Sequence, residues 1–317
     1  FKQKTAYEIM PSLVGSEMCI RDSYLWIKDG QAEIRDASHL WGKLTGEVSD
    51  ILKEELGDNR VRIAQIGPGG EKLVRYAGIV NELHHFNGRT GMGAVMGSKN
   101  LRAIAVRGTQ EVPMYDPEKA REIVRWFVQE YYKPQPGDMH DLGTSRIVKP
   151  LSDAGILPTR NFREGSFEGA EQISGERMRD TILIRRGTCY ACPIACRRIV
   201  KVDEGPFKVD PKYGGPEYET VASMGSLCGV NDLRAVAKAN EICNKYAVDT
   251  ISCGVSIAFA MECYENGILT KEDTGGLDLR FGNAEALVKM VEMICRREGL
   301  GDILAEGVKR AAEKIGK

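Results

Sequence analysis

YLWIKDGQAEI, residues 24–34, decides the fold class of this chain. Within it, Asp29 and Gly30 separate two short runs of mainly apolar residues. An Asp-Gly pair in this setting is typical of a two-residue turn between antiparallel strands, because both residues tolerate a positive φ. The stretch therefore predicts a β-hairpin.

The residues after the hairpin predict one helix and further strands. Apolar residues at helical spacing indicate an amphipathic helix over about 45–56. The apolar runs at 61–66 and 103–106 predict strands, the first of which ends at a Gly-Pro-Gly-Gly sequence. Together, these elements predict an α+β arrangement for residues 24–110.

Beyond residue 111 the pattern changes to helices. Asp116 followed by Pro117 is typical of a helix start, because aspartate caps free N–H groups and proline fits the first turn. The segment 143–187 is rich in turn residues and predicts irregular structure. Further helices are predicted over 232–246, 250–265, 284–297 and 302–315, the second of them buried because it is apolar on nearly every side. Residues 111–317 thus predict a mostly α-helical second part.

Bulk composition excludes several classes of protein. The chain has 317 residues, with 44 basic and 45 acidic side chains and a net charge of -1, which argues against binding to nucleic acid. No apolar run approaches the roughly 20 residues of a membrane helix, so no membrane segment is expected. Nine cysteines, an odd number, do not suggest a disulfide framework. Unpaired thiols without an export signal indicate the cytoplasm.

Residues 1–23 do not resemble the start of a protein. Their core, MPSLVGSEMCIRDS at residues 10–23, is similar to translated sequencing-adapter sequence from metagenomic assemblies. We therefore expect residues 1–23 to be non-native, and we exclude them and Cys19 from fold reasoning.

Cys189, Cys192 and Cys196 form a C-x2-C-x3-C run in TCYACPIACRR, residues 188–198. Three thiolates at this spacing can share one metal centre, with a fourth ligand from elsewhere, and the pattern suits an iron–sulfur cluster. A zinc site fits less well, because there is no second cysteine pair and every histidine lies upstream. A free-standing ferredoxin module also fits poorly, since proline follows the second cysteine rather than the last.

A glycine-rich segment, GRTGMGAVMGSK, occupies residues 88–99. Its glycines allow backbone N–H groups to approach an anion, and Arg89 or Lys99 would pair with phosphate. The segment matches neither of the established nucleotide-binding patterns, so a tight structural turn is the competing interpretation.

Three motifs carry a family resemblance. In this order, GRTGMGAVMGSKNLRAIAV, TCYACPIACRR, and GPEYET followed by CGVNDL resemble the aldehyde ferredoxin oxidoreductase family, over essentially residues 24–317. The resemblance implies a tungsten or molybdenum bis-pterin enzyme with a 4Fe-4S cluster, which oxidises aldehydes to carboxylates and passes electrons to ferredoxin. It also implies that residues 24–110 are the end of a β-rich pterin-binding domain.

The same resemblance assigns roles to individual residues. It implies that Cys189, Cys192 and Cys196 bind the cluster. It places Glu219 near the metal, where the carboxylate takes a proton from water or aldehyde hydrate. Glu217, two residues away, is treated as a structural acid. The implied pterin-binding residues are Asn87, Gly88, Arg89, Asn244, Val248 and Asp249, and a plain helix N-cap is compatible with the role of Asp249.

The chain also departs from the family pattern. Lys238 stands where a glutamate contributes to a subunit-bridging metal, so that metal is in doubt and a homodimer stays open. Asn244 replaces an aspartate, and His85 replaces a basic residue before the glycine-rich segment. The third domain is expected to be absent and the fourth cluster cysteine to lie beyond Lys317, so this internal fragment is expected to be inactive alone.

Two further functions remain open at this point. One is a related tungsten or molybdenum enzyme with another substrate, such as an aromatic acyl-CoA reductase or a carboxylic acid reductase. The other is a non-catalytic iron–sulfur electron-transfer module. The sequence does not distinguish tungsten from molybdenum or define the aldehyde.

Overall fold

The computed structural model describes residues 22–132, 137–190 and 192–316. Most of the segment predicted to be non-native lies outside these residues, although Ser23 is described and begins the first strand. The strands are β1 Ser23–Lys28, β2 Gln31–Asp36, β3 Arg62–Gln65, β4 Ile79–Asn81, β5 His85–Asn87, β6 Leu101–Arg107, β7 Leu183–Gly187 and β8 Arg197–Val200.

The helices outnumber the strands and dominate the second part. They are α1 Thr45–Glu55, α2 Pro68–Glu71, α3 Met92–Ser98, α4 Pro117–Trp126, α5 Gly137–Leu142, α6 Val148–Asp153, α7 Gly175–Thr181, α8 Tyr218–Met224, α9 Leu233–Tyr246, α10 Thr250–Glu265, α11 Ala284–Arg296, α12 Leu300–Leu304 and α13 Val308–Ile315. A π-helical segment, Phe127–Tyr132, follows α4, and short 3₁₀ turns occur at Ser38–Leu40, Arg89–Gly91, Thr144–Ile147, Glu171–Ile173, Pro211–Tyr213 and Ser226–Cys228. The predicted α+β class is confirmed.

The first part is built on a six-stranded mixed sheet with strand order β2-β1-β6-β3-β4-β5. The predicted hairpin is present, because β1 and β2 pair antiparallel with Lys28 opposite Gln31. Its turn residues Asp29 and Gly30 have φ of 48° and 88°, as a type I′ turn requires. Because β1 also pairs in parallel with β6, the sheet is mixed.

Two apolar cores hold the chain together. The smaller one lies between the sheet and its flanking helix, and includes Tyr24, Val48, Leu52 and Ile63. The larger one is formed mainly by the helices of the second part, but it also contains Val74, Tyr76 and Ala77 from the first part. The division of the chain at residues 23 and 110 stays a prediction.

The structure differs from the predicted elements in several places. The expected helix over 302–315 is two helices, α12 and α13, separated by Gly307 with φ of 83°. The segment 143–187, predicted to be irregular, contains the short helices α6 and α7. The glycine-rich segment is largely helical, because it contains α3.

Close backbone packing explains the glycines of α3. A Cβ on Gly93 would lie 2.3 Å from the Gly78 carbonyl oxygen, and one on Gly97 would lie 2.1 Å from that of Gly70. No side chain fits at such distances. These two glycines therefore serve packing, which supports the structural interpretation for that half of the segment. Among the described residues, no helix is long and apolar enough to cross a membrane.

Candidate functional site

Two helices of the second part begin side by side. Glu219 lies in the first turn of α8, and Asp249 is the N-cap of α10. The Thr220 and Thr250 hydroxyl groups hydrogen-bond at 2.7 Å and join these first turns. Gly254 permits the approach, because a Cβ there would lie 2.5 Å from the Ser223 carbonyl oxygen. The helix packing therefore brings Glu219 and Asp249 to the same place.

The two acids line a cavity of 210 Å³, called here the central cavity. Its wall contains the predicted residues Glu219, Asn244, Val248 and Asp249. The structure thus brings together four residues that are spread over α8, α9 and the start of α10. Residues that sequence reasoning did not assign to a site also line it, among them His84, Phe86, Arg197, Asn240 and Thr250.

Asn87, Gly88 and Arg89 approach the same region from the first part. They follow one another at the end of β5 and the start of a 3₁₀ turn. The Arg89 Nε lies 4.0 Å from the Asp249 Oδ2, and a Cβ on Gly88 would lie 3.4 Å from the Asp249 Oδ1. Arg89 also lines a second cavity of 890 Å³. Asp249 therefore lies between the central cavity and the beginning of the glycine-rich segment.

Asp249 is a genuine helix cap. Its Oδ2 accepts hydrogen bonds from the Ser252 backbone N–H at 2.9 Å and the Ser252 hydroxyl at 2.6 Å. The carboxylate is buried, with 6% of the residue exposed. Asn244 is buried too, and its amide donates to the Tyr213 carbonyl at 2.8 Å. Both side chains are held in fixed orientations at the cavity wall.

Glu217 also lines the central cavity, together with Glu219. Its carboxylate accepts a hydrogen bond from the Thr144 hydroxyl, which in turn accepts the Tyr218 backbone N–H at 2.8 Å. Glu217 is the residue directly before α8, and Glu219 lies in the first turn of that helix. The two side chains therefore line the same cavity from the start of a helix. The contact with Thr144 supports a structural role for Glu217.

Residues 188–196, called here the cysteine loop, connect β7 to β8. Cys189 is exposed, whereas Cys192 and Cys196 are half-buried. The Cys192 backbone N–H donates to the Cys189 carbonyl at 3.1 Å. Burial, reinforced by the negative charge of Glu217 and by the other two thiols, raises the pKa of Cys196. The three thiols thus share one short loop.

The backbone carbonyls of residues 194–196, at the end of the cysteine loop, accept hydrogen bonds from three side chains. Two of these side chains precede the loop in sequence, and the third, Arg198, follows it. Tyr132 and His140 both donate to the Ile194 carbonyl, at 3.1 and 2.9 Å. The buried guanidinium of Arg198 donates to the Ala195 and Cys196 carbonyls of the cysteine loop, at 2.8 and 3.1 Å. It also donates to two carbonyls of α5, those of Asp141 and His140, at 2.8 and 3.0 Å. Arg198 therefore fastens the loop to α5.

The donor groups in these two regions determine which cofactors they can hold. Across the described residues, no three histidine, cysteine, aspartate or glutamate side chains converge closely enough to hold a metal ion. Three thiols on one loop are nevertheless the donor type of an iron–sulfur cluster. His84 lines the central cavity together with Asn244 and Asp249, and its Nδ1 is buried without a hydrogen-bond partner among the described residues. Such an unpaired buried nitrogen suits a polar ring such as a pterin.

The subunit-bridging metal does not fit. Lys238 Nζ lies 2.7 Å from Glu241 Oε2 and donates to the Lys208 carbonyl at 2.8 Å. Lys245 pairs with the other oxygen of Glu241 at 2.5 Å, and the Glu241 side chain is 2% exposed. Both oxygens of the Glu241 carboxylate are thus paired with ammonium groups, so they are not available to bind a metal ion. The other five cysteines in the described ranges, Cys228, Cys243, Cys253, Cys263 and Cys295, are buried.

Comparison with known proteins adds three findings. Residues 122–317 match the model described as "Aldehyde ferredoxin oxidoreductase, domains 2 & 3", and residues 13–108 match "Aldehyde ferredoxin oxidoreductase, N-terminal domain". The chain is 46% identical over 300 residues to a tungsten-containing aldehyde ferredoxin oxidoreductase of Pyrococcus abyssi, and 45% identical over 299 residues to that of Thermococcus kodakarensis. Each alignment covers 92% of this chain and 48% of the relative.

A solved structure is also similar. It is titled as the active site complex BamBC of benzoyl coenzyme A reductase with 1,5-dienoyl-CoA, and it matches with a TM-score of 0.74 and 30% identity. The match covers 94% of this chain and 46% of that one. The chain spans about half the length of the curated relatives it matches. From its two family matches and these identities, the chain belongs to the aldehyde ferredoxin oxidoreductase family.

Proposed function

We propose that this chain contributes the cofactor-binding region of an enzyme that oxidises an aldehyde to a carboxylic acid. The enzyme uses a tungsten or molybdenum bis-pterin centre, and its electrons leave through a 4Fe-4S cluster to ferredoxin. The site of the reaction is the cytoplasm, since the described cysteines are all free thiols. The identity of 46% to a tungsten-containing relative favours tungsten.

The observation that carries this proposal is the convergence of residues distant in sequence. Glu219, Asn244 and Asp249 line the central cavity, and Arg89 lies beside Asp249. A structural or purely electron-carrying module has no need for a cavity lined by three carboxylates next to its cysteine loop. The convergence therefore favours an enzyme over a non-catalytic module.

Each residue has a defined part in the proposal. Asp249 and Asn244, with Val248, Asn87, Gly88 and Arg89, hold the pterin, because amides and carboxylates bind ring amines and arginine binds phosphate. Cys189, Cys192 and Cys196 hold the cluster. A bound metal–pterin group supplies the two-electron oxidation, which protein side chains cannot provide. Glu219 accepts a proton at its carboxylate from water or from the hydrated aldehyde.

Metal and electron-transfer measurements test the proposal. The complete reading frame should be expressed, analysed for tungsten, molybdenum, iron and pterin, and assayed for aldehyde-dependent ferredoxin reduction. We expect tungsten or molybdenum with pterin, iron, and activity with aldehydes. A protein that binds iron but contains neither pterin nor either metal would support the electron-transfer module instead.

The role of Glu219 is tested separately. Glu219→Gln should lower kcat by about 100-fold or more, as expected for loss of a general base, while pterin and metal content stay unchanged. Glu164→Gln, at an exposed glutamate paired with Arg160, is the control and should keep the wild-type rate. A Glu219→Gln enzyme with wild-type kcat would remove Glu219 from the mechanism.

A second candidate function is the reduction of an aromatic acyl-CoA. It is favoured by the structural similarity to the benzoyl coenzyme A reductase complex, at a TM-score of 0.74. Parallel assays with aldehydes and with acyl-CoA thioesters separate the two. Turnover of the thioester without aldehyde oxidation would replace the first candidate with the second.

A further inference from the structure

Arg197 lies where the cysteine loop meets the central cavity. It follows Cys196 directly and is the first residue of β8. Its side chain lines the central cavity together with Glu217 and Glu219. It also lines a neighbouring cavity of 630 Å³ together with Cys189. One guanidinium therefore forms part of the wall between these two cavities.

The positive charge of Arg197 is buried and forms no ion pair with the residues that the structure describes. The residue is 8% exposed. Burial lowers the pKa of its guanidinium, and Glu217 opposes this effect by attraction through space rather than by a hydrogen bond. An arginine remains protonated at every physiological pH. The wall therefore carries a fixed, poorly screened positive charge next to the cysteine loop.

His85 holds the Arg197 guanidinium by a hydrogen bond and adds no negative charge that would neutralise it. The Arg197 Nη1 lies 2.6 Å from the His85 Nε2. Because a guanidinium only donates hydrogen bonds, His85 Nε2 must accept, so the imidazole is neutral with its proton on Nδ1. The His84 ring stacks on that of His85, with centroids 5.3 Å apart. The histidine pair thus holds the guanidinium in place.

We propose that Arg197 is a positioning residue that raises the reduction potential of the iron–sulfur cluster on the cysteine loop. This rests on the proposed function, which places a cluster on Cys189, Cys192 and Cys196. Reduction adds one electron, and hence one negative charge, to the cluster. A fixed positive charge beside the loop stabilises the reduced form by Coulomb attraction, which is one of the ways proteins tune such clusters.

The test is a redox titration of the holoenzyme from the complete reading frame, with dithionite as reductant and electron paramagnetic resonance as readout. Arg197→Met keeps the bulk of the side chain and removes the charge, so the midpoint potential should shift to a lower value. Arg185→Met, at an exposed arginine on the same hairpin, should leave it unchanged. A wild-type potential in Arg197→Met would overturn the proposal.

A second pair of variants decides the matter if Arg197→Met fails to assemble a cluster. Arg197→Lys keeps one positive charge at this position, whereas Arg197→Gln keeps a polar side chain without a charge. The midpoint potential of Arg197→Lys should stay close to that of the wild type, and that of Arg197→Gln should be lower. Equal midpoint potentials in the two variants would contradict the proposal.

The two levels of proposal fail in different ways. If the wild-type holoenzyme contains no iron and gives no cluster signal, the proposed function is wrong. If the wild type gives a normal cluster signal but its potential does not respond to Arg197, only this inference is wrong.

Discussion

At the scale of single residues, Asp249 combines two roles that one substitution can separate. Asparagine caps a helix about as well as aspartate but lacks the charge. Asp249→Asn should therefore leave the free energy of unfolding almost unchanged, whereas Asp249→Ala should lower it by about 1 kcal/mol. Both variants of the full-length protein should lose pterin. Denaturant unfolding and pterin analysis measure these effects, and full pterin content in Asp249→Asn would leave Asp249 with a capping role only.

Arg198 is the residue on which the cysteine loop depends most. Removing a guanidinium that donates to four carbonyls takes the donor away from four part-buried hydrogen bonds. Arg198→Met should lower the free energy of unfolding by about 2 to 4 kcal/mol, and amide hydrogen exchange in the loop should accelerate. The exposed Arg185→Met is the matched control and should stay within about 0.5 kcal/mol of the wild type. Equal stabilities of the two variants would show that the loop does not need Arg198.

The sequence indicates a site residue when that residue belongs to a recognisable motif. Cys189, Cys192 and Cys196 stand out by spacing, and the structure places them on one loop. Arg197 and His84 were not assigned to a site, although both line the central cavity. The only feature of the sequence that could have indicated a site role for Arg197 is its position directly after Cys196. Its burial depends on contacts with β5, which sequence does not reveal.

At the scale of elements, the close contact of α8 with α10 positions the central cavity. Gly254→Ala should improve the intrinsic helix propensity of α10 by about 1 kcal/mol. The new methyl group would nevertheless lie 2.5 Å from the Ser223 carbonyl oxygen, so we expect a net loss of about 1 to 3 kcal/mol in the free energy of unfolding. Gly108→Ala, where a Cβ contacts nothing within 4 Å, is the control. A stabilised Gly254→Ala in urea unfolding would contradict this account of the packing.

The elements that sequence predicted well are those with local signals. The hairpin at Asp29-Gly30 and the cap at Asp116, whose Oδ1 accepts the Lys119 N–H at 2.9 Å, are both present. Helix α3 was not foreseen, because glycine disfavours helices locally. Its glycines are nevertheless required by the backbone packed against them. Tertiary contacts outweighed local propensity there.

At the scale of the whole molecule, an ion-pair network joins the two parts of the chain. Arg75 of the first part pairs with Glu306 at 2.6 Å, and Arg297 pairs with the other oxygen of that carboxylate at 2.7 Å. The Arg75 backbone N–H also donates to the Ala305 carbonyl at 3.0 Å. Hydrogen bonding to Arg75, and then to Arg297, lowers the pKa of Glu306 from 4.5 to about 2.

This network predicts a pH-dependent contribution to stability. Because the folded-state pKa of Glu306 is lowered, its contribution is complete above pH 4.5 and is lost as the pH falls towards 2. Glu306→Gln should lower the free energy of unfolding of this chain by about 1 kcal/mol at pH 7. The difference from the wild type should shrink below pH 4.5 and vanish near pH 2. Urea titrations across this range measure it, and a difference independent of pH would exclude the ion pairs as its cause.

The sequence alone determined what depends on neighbouring residues: the hairpin turn, the helix caps, the cysteine spacing and, through its motifs, the family. Only the tertiary structure decided that Glu219, Asn244 and Asp249 share a cavity, and that Arg197 lies between this cavity and the cysteine loop. The physical reason is that turns and caps depend on contacts a few residues apart. A cavity wall instead depends on how α8, α9, α10 and β8 pack, and short-range patterns do not encode such distances.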